Sequence, residues 1–251
     1  MNDRPMHTVP GLFERLTAVY ADGVRALEDG RLHQAVGLFT EGIQHDDEFR
    51  QGHVTMYAQR AFAYQRLGDH VAAIRDYGRA IEMEPPPNQA QYLFHRGMCF
   101  TALGGHEEHA VNDFARSIAI YPDHPGPYHL RGKLLATDLN RYEEAIADFD
   151  RLLAMSAVAE GYQLRGYAKL NLGRGHEAIP DLLEANRIEQ DTYTDYLLAW
   201  AGAIAPDDEL FYRSMQAVLS ADPETYRQYF LDNDDFARFR HQPRFRQIAG
   251  G

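Results

Sequence analysis

The fold is decided by the stretch LRGYAKLNLG at residues 164–173, which is followed by Glu177-Ala178-Ile179. Shorter copies of the same pattern occur three times earlier in the chain, each with an arginine, a small residue, a terminal leucine and a second helix that starts on alanine. The arginines of the four copies are Arg60, Arg96, Arg131 and Arg165, at spacings of 36, 35 and 34 residues. A period of about 34 residues is typical of an array of helical repeats.

Each copy predicts two helices. The first helix ends at a Leu-Gly pair such as Leu67-Gly68, because glycine enters the left-handed conformation that stops a helix without strain. The second helix carries alanine, an aromatic residue and then Ala-Ile at spacings of four and three, which places these residues on one face. Small residues let the two helices approach closely, and they stand at Ala61, Gly97, Gly132 and Gly166.

These offsets resemble those of the tetratricopeptide repeat family. Five units match, at approximately 16–49, 54–87, 90–124, 125–158 and 159–190. The first is the loosest, since Asp22-Gly23 replaces Arg-Gly. The resemblance implies an all-α chain forming a right-handed superhelical solenoid of antiparallel helix pairs, and it implies a role in binding other proteins.

Helices are predicted at 11–29, 32–46, 50–67, 70–83, 89–103, 107–120, 126–138, 142–155, 158–172 and 175–188. Residues 1–10 are interpreted as a flexible lead-in, and 84–88 as a stiff proline-rich connector. Pro180 is expected close to the first turn of its helix, where proline is tolerated.

The repeat pattern breaks down after residue 190. Residues 191–251 are interpreted as a degenerate sixth helix pair and C-terminal capping helices, with Phe236, Phe239 and Phe245 docked on the last pair. A cap is expected because a terminal repeat exposes an apolar face. The alternative is that this aromatic tail forms a dimer or partner surface.

Composition restricts the class of partner. The chain has 25 Lys and Arg against 37 Asp and Glu, a net charge of −12, which argues against nucleic-acid binding. A single cysteine, Cys99, excludes an internal disulfide and is expected in the core. The sequence shows no signal peptide and no run of about 18 apolar residues, so we expect a cytoplasmic protein without a membrane-spanning segment.

Each recurrent arginine is matched by an aspartate 16 or 17 residues later. Residues equally far from the turn of an antiparallel helix pair lie level with one another. The sequence therefore predicts four partly buried structural ion pairs, with a catalytic arginine array as the less favoured alternative: Arg60–Asp76, Arg96–Asp113, Arg131–Asp148 and Arg165–Asp181.

The opposite face of the first helices is predicted to line a partner-binding groove that combines aromatic, apolar and amide side chains. Its residues are Tyr20, Val24, Phe62, Gln65, Phe94, Met98, His129, Lys133, Gln163 and Tyr167. Exposed apolar surfaces of this kind mark interaction sites, although each residue has the alternative of packing between neighbouring helices. The chaperone-tail clamp known in the family needs several cationic and amide side chains here, and only Lys133 fits.

No catalytic, metal or cofactor site is predicted. The stretch His106-Glu107-Glu108-His109 resembles a zinc motif only superficially, because a zinc site needs histidines one turn apart and a third ligand. The leading hypothesis is a non-catalytic adaptor that binds a peptide or helix of another protein in the groove. The alternatives are a self-associating structural or scaffold protein, a homo-oligomer, and then an enzyme or small-molecule sensor that uses His129 and Lys133.

Overall fold

The computed structural model describes residues 11–49 and 54–250 of the chain. In these residues all regular secondary structure is helical, so the prediction of an all-α chain made of helix pairs is confirmed. The chain divides into two compact units, with the boundary between Pro122 and Asp123. The predicted lead-in, residues 1–10, lies outside the described residues.

The first unit contains three helix pairs. Each helix packs against the next one, and α3 also contacts α1 and α5, so the first helices of successive pairs are neighbours. The helices are α1 (Leu12–Glu28), α2 (Leu32–Phe49), α3 (Val54–Leu67), α4 (His70–Met83), α5 (Pro86–Leu103) and α6 (Glu107–Ile120).

The second unit contains three further pairs and a C-terminal extension. Here α9 contacts both α7 and α11 in addition to its partner in the pair. The elements are α7 (Pro125–Thr137), α8 (Tyr142–Met155), α9 (Ala159–Asn171), α10 (Gly175–Ile188), α11 (Thr192–Ile204), α12 (Asp208–Ala221), α13 (Pro223–Asp232), a 3₁₀ turn (Asp234–Phe236) and α14 (Pro243–Ala249).

Local sequence explains where these helices begin and end. The side chains of Asp69, Asp191, Asp207 and Asp222 each accept a hydrogen bond from a backbone N–H in the first turn of the following helix. Such a cap satisfies one of the donors that a helix start leaves free. In the fourth repeat Asn140 replaces the turn glycine and adopts the left-handed conformation with φ 54°.

The small residues of the first helices set the approach of the two helices in a pair. A Cβ added to Gly97 would lie 2.7 Å from the ring of Phe114, and one added to Gly166 would lie 2.7 Å from Leu182. Phe114 and Leu182 are fully buried. These positions therefore exclude larger side chains because the partner helix already fills the space.

Three predicted details are wrong. Helix α5 begins at Pro86 instead of residue 89, because the first turn of a helix needs no bonded N–H and proline fits there. Helix α2 continues to Phe49, past the predicted end at 46. Pro180 is the sixth residue of α10, beyond the first turn, on an exposed side of the helix where solvent can hydrate the freed carbonyl.

The C-terminal aromatic residues are buried within the second unit. Phe236, Phe239 and Phe245 are at most 1% exposed. The ring of Phe239 stacks on Phe211 of α12 with centroids 3.8 Å apart. These three rings are covered by the chain's own helices and are not free to meet a partner.

Candidate functional site

In the first unit, two arginine–aspartate pairs connect the helices of a pair. Arg60 donates through Nε and Nη2 to Asp76 at 2.6 and 2.9 Å, and Arg96 donates in the same way to Asp113 at 2.7 and 2.8 Å. The third guanidinium nitrogen of Arg60 reaches Thr40 on the preceding helix at 3.0 Å. Both contacts are two-point bonds, a geometry specific to arginine with a carboxylate.

The second unit repeats this geometry. Arg131 bonds Asp148 at 2.8 and 2.6 Å, and Arg165 bonds Asp181 at 3.0 and 2.5 Å. Around the last pair the network is larger, since Lys169 also donates to Asp181 at 2.7 Å. All four arginines therefore bond the aspartates that the sequence spacing assigns to them.

These pairs are deep in the helix packing. The four aspartates are at most 5% exposed. The hydrogen bond with Asp148 raises the pKa of the Arg131 guanidinium against the effect of burial, so the arginine stays charged. Because both carboxylate oxygens are engaged and little solvent reaches them, the geometry serves structure and leaves no free group for catalysis.

A cavity opens on the predicted groove face of the first unit. Its volume is about 300 Å³, and it lies among α3, α4 and α5. The rings of Phe62, Tyr77 and His95 form its walls: His95 stacks on Tyr77 at 5.7 Å and meets Phe62 edge-on at 5.9 Å. The remaining lining residues, several of them polar and exposed, are Thr55, Ala58, Gln59, Gln91 and Tyr92.

Other predicted groove residues of the first unit are partly used in packing. Tyr20 lies 6.2 Å from Phe39, Val24 packs on the same core, and Phe94 lies 6.0 Å from Phe114. Gln65 accepts a hydrogen bond from the Tyr77 hydroxyl at 3.0 Å. Burial raises the pKa of Tyr77, which keeps that hydroxyl protonated and donating. Met98 is half-buried on α5.

In the second unit, the predicted groove cation is already paired within the chain. Lys133 donates to Glu160 at 2.7 Å, and His129 lies 3.1 Å from the other oxygen of the same carboxylate. Burial opposes ionisation of Glu160, yet the hydrogen bond from Lys133 and the charge of His129 lower the pKa of Glu160 below its ordinary value. Glu160 thereby occupies the two residues on which a polar binding or catalytic role was suggested.

The last two predicted groove residues contact α11. Gln163 donates to Asp191 at 2.9 Å and to Thr194 at 2.6 Å. It borders a second cavity of about 310 Å³, which is also lined by Glu160 and Glu189. Tyr167 lies between Tyr142 and Trp200, with ring centroids 6.4 and 6.5 Å away.

The sequence reasoning missed the continuation of this face onto α11. Adding one repeat of 33 residues to Glu160, Gln163 and Tyr167 gives Tyr193, Tyr196 and Trp200. The signal was present in this spacing, but the loss of the Arg-Gly landmark in the sixth pair concealed it. His95 was also missed, although it stands one turn after Gln91 and one turn before Cys99 on α5.

Potential metal and thiol chemistry has little support in the described part of the chain. No group of three His, Cys, Asp or Glu side chains there could hold a metal ion. His106 and His109 instead pack near Phe100, at 5.8 and 5.2 Å. Cys99 is fully buried, and burial raises the pKa of its thiol to about 12. Within the described ranges, no helix is both long enough and apolar enough to cross a membrane.

Comparison with known families agrees with this geometry. Residues 54–87 and 126–157 match the profile of the Tetratricopeptide repeat family. The two matched segments coincide with α3–α4 and α7–α8, one pair in each unit. The chain is therefore a tetratricopeptide repeat protein.

Individual relatives are more distant. The chain is 26% identical over 224 residues to DnaJ homolog subfamily C member 3 of Gallus gallus; the match covers 83% of this chain and spans 43% of that relative's length. Among solved structures, MamA superposes with a TM-score of 0.64 at 16% identity, covering 72% of this chain and 94% of MamA. YrrB, described as a TPR protein with an unusual peptide-binding site, gives 0.61 at 15% identity, covering 70% and 87%.

Proposed function

We propose that this protein is a non-catalytic interaction adaptor that binds a peptide segment of a partner protein on the groove face of its first unit. The observation that supports the proposal best is the cavity walled by Phe62, Tyr77 and His95. Its volume of about 300 Å³ is at the lower end of small-molecule pockets, which hold roughly 300–1,000 Å³. It suits one apolar side chain of a bound peptide.

The rim of the cavity supplies the polar part of such a site. Gln59 and Gln91 flank the aromatic walls, and Thr55 stands exposed on α3. Amide side chains carry both donors and acceptors, so they can pair with the backbone of an extended peptide. Aromatic anchors with surrounding polar contacts are the usual composition of an interaction hot spot. The printed description of YrrB as a peptide-binding TPR protein is consistent with this role.

The test uses peptide selection on the complete chain. A displayed library of random 12-residue peptides is selected on the immobilised protein, and enriched peptides are measured singly by fluorescence anisotropy. Thr55→Arg places a long charged side chain at the cavity rim and should weaken binding at least about tenfold, equal to 1.4 kcal/mol. Val71→Arg, at a 57% exposed position on α4, introduces the same side chain outside the cavity and should leave affinity unchanged.

Two further measurements make the result decisive. Phe62→Ala removes one aromatic wall and should weaken the same peptides, while circular dichroism and a urea titration confirm that each variant is folded. The proposal is wrong if the selection yields no specific peptide. It is also wrong if the selected peptides bind the Thr55→Arg and Val71→Arg variants equally well.

A further inference from the structure

Four tyrosines form a continuous exposed surface on the second unit, which we call the tyrosine surface. Tyr193 and Tyr196 come from α11, and Tyr226 and Tyr229 come from α13. Tyr196 is central, with its ring 6.2 Å from Tyr193, 5.7 Å from Tyr226 and 6.0 Å from Tyr229. Tyr193 is 39% exposed and Tyr229 is 54% exposed.

Carboxylates border the tyrosine surface. Burial and the neighbouring tyrosines raise the pKa of Tyr193 to about 12, and Asp191 adds to this effect. Asp191 and Asp222 act in the same direction on the pKa of Tyr226 after burial. The tyrosine rings are therefore in a negative electrostatic environment. Asp191 takes hydrogen bonds only from Gln163 and Thr194 among the described residues, and both of these donors are neutral.

A comparison within the same unit shows what this surface lacks. The ring of Tyr212 is covered by the guanidinium of Arg244 at 4.5 Å, and the ring of Phe239 by that of Arg238 at 4.3 Å. Over the described residues, no guanidinium lies on any ring of the tyrosine surface. Elsewhere the unit thus supplies its own arginine to an aromatic ring, whereas here the ring faces are open beside unneutralised carboxylates.

We propose that the tyrosine surface binds an arginine side chain presented by a peptide segment of a partner protein. A guanidinium stacks on the open face of an aromatic ring and at the same time pairs with a carboxylate in its own plane. Tyr193 and Asp191 supply that combination at the start of α11, and Tyr226 and Asp222 supply it at the start of α13. A neutral or acidic segment gains nothing from these carboxylates, so charge complementarity selects the occupant.

The inference extends the proposed adaptor function to a second surface and specifies the chemistry of its ligand. It does not depend on the first-unit cavity being occupied. Variants of the two surfaces are therefore separable: Thr55→Arg at the cavity should leave arginine-peptide binding unchanged, and Tyr193→Ala should leave binding at the cavity unchanged.

The test titrates the complete chain with fluorescein-labelled Gly-Ser-Arg-Gly-Arg-Ser-Gly at low ionic strength and records anisotropy. Matched peptides carry citrulline, lysine or glutamate in place of both arginines. Citrulline keeps the planar shape and removes the charge. The arginine peptide should bind at least tenfold more tightly than the citrulline and glutamate peptides, and measurably more tightly than the lysine peptide.

Protein variants locate the contact. Tyr193→Ala and Tyr229→Ala should each weaken the arginine peptide severalfold, whereas Leu231→Ala, at an exposed position of α13, should not. Asp191→Asn and Asp222→Asn remove charge but retain an oxygen that can cap the helix, so they should weaken binding without unfolding the chain. Asp232→Asn makes the same change in net charge on exposed residues of α13 away from the cap and should have no effect.

Three outcomes would overturn the proposal. Equal binding of the arginine and citrulline peptides would exclude recognition of charge. Equal binding of the lysine peptide would exclude guanidinium stacking. An equal loss in Asp232→Asn and Asp191→Asn would show a general effect of net charge instead of a site.

Discussion

Paired charges at single positions determine how the helices of a repeat are aligned. Asp113 is 1% exposed and receives both bonds of Arg96, at 2.7 and 2.8 Å. Removing two charges from water costs several kcal/mol per ion, so such a pair adds little net stability but penalises any arrangement that separates the partners. The pair therefore favours one register of the two helices.

Loss of one partner should be costly. Arg96→Ala leaves Asp113 buried without its cation and should lower the free energy of unfolding by about 3–5 kcal/mol, measured by urea denaturation. Arg116 offers a matched control, because it lies 3.9 Å from the same aspartate but is 45% exposed. Arg116→Ala should cost less than about 1 kcal/mol. Equal effects of the two substitutions would contradict the role given to burial.

The Glu160 cluster should make a small pH-dependent contribution. Its pKa is lowered on folding, so its stabilisation is complete above the unfolded value of about 4.5 and is lost as pH falls through the folded pKa. Glu160 is 44% exposed, so the difference between the chain and Glu160→Gln should be about 1 kcal/mol or less at pH 5.5. Urea titrations at pH 5.5 and 3 should show it shrinking; a difference that grows in acid would reverse the assignment.

Helix pairs are the next scale, and their separation depends on small residues. The ring of Phe114 lies where a side chain on Gly97 would have to sit. Gly97→Ala should therefore destabilise the chain by about 1–3 kcal/mol through overpacking. Gly37 on α2 has open space around its Cα, so Gly37→Ala should stabilise by about 0.5–1 kcal/mol. Thermal denaturation of the two variants should move in opposite directions.

The C-terminal helices should behave as part of the second unit's core. Phe239 is fully buried against Phe211, so Phe239→Ala should cost about 3–5 kcal/mol. It should also increase binding of a hydrophobic dye, because the last helix pair loses its cover. Leu231→Ala, at a 40% exposed position, is the control and should change little. A mild effect of Phe239→Ala would mean that the last pair is stable without its extension.

Periodicity carried most of the helix assignment and the four charge pairs. It succeeded for Arg131 and Asp148 because both belong to one hairpin, whose geometry follows from counting residues to the turn. It could not foresee that Glu160 neutralises Lys133, since that contact depends on how neighbouring pairs pack. Pro86 was misjudged because a proline's effect depends on whether it stands before a helix or in its first turn.

At the scale of the whole molecule, the net charge of −12 should steer cationic ligands. Exposed charges are screened over about 10 Å at 0.1 M salt. The association rate of the arginine peptide should therefore fall about tenfold between 20 and 500 mM salt, with a smaller change in its dissociation rate. Stopped-flow anisotropy measures both, and an uncharged peptide selected on the first-unit cavity is the control. An association rate independent of salt would contradict long-range attraction.

The charge pairs also bear on how such a chain can lengthen or shorten. Each aspartate is bonded by an arginine of its own repeat, 16 or 17 residues away, so the excision or duplication of one complete repeat removes or adds both partners together. A tandem copy of residues 125–158 would bring its own Arg131 and Asp148 and leave no buried charge unmatched. Recombination between repeats, a common event in genes with internal repetition, would then be electrostatically neutral in the interior, and selection on repeat number would act mainly on the exposed binding faces.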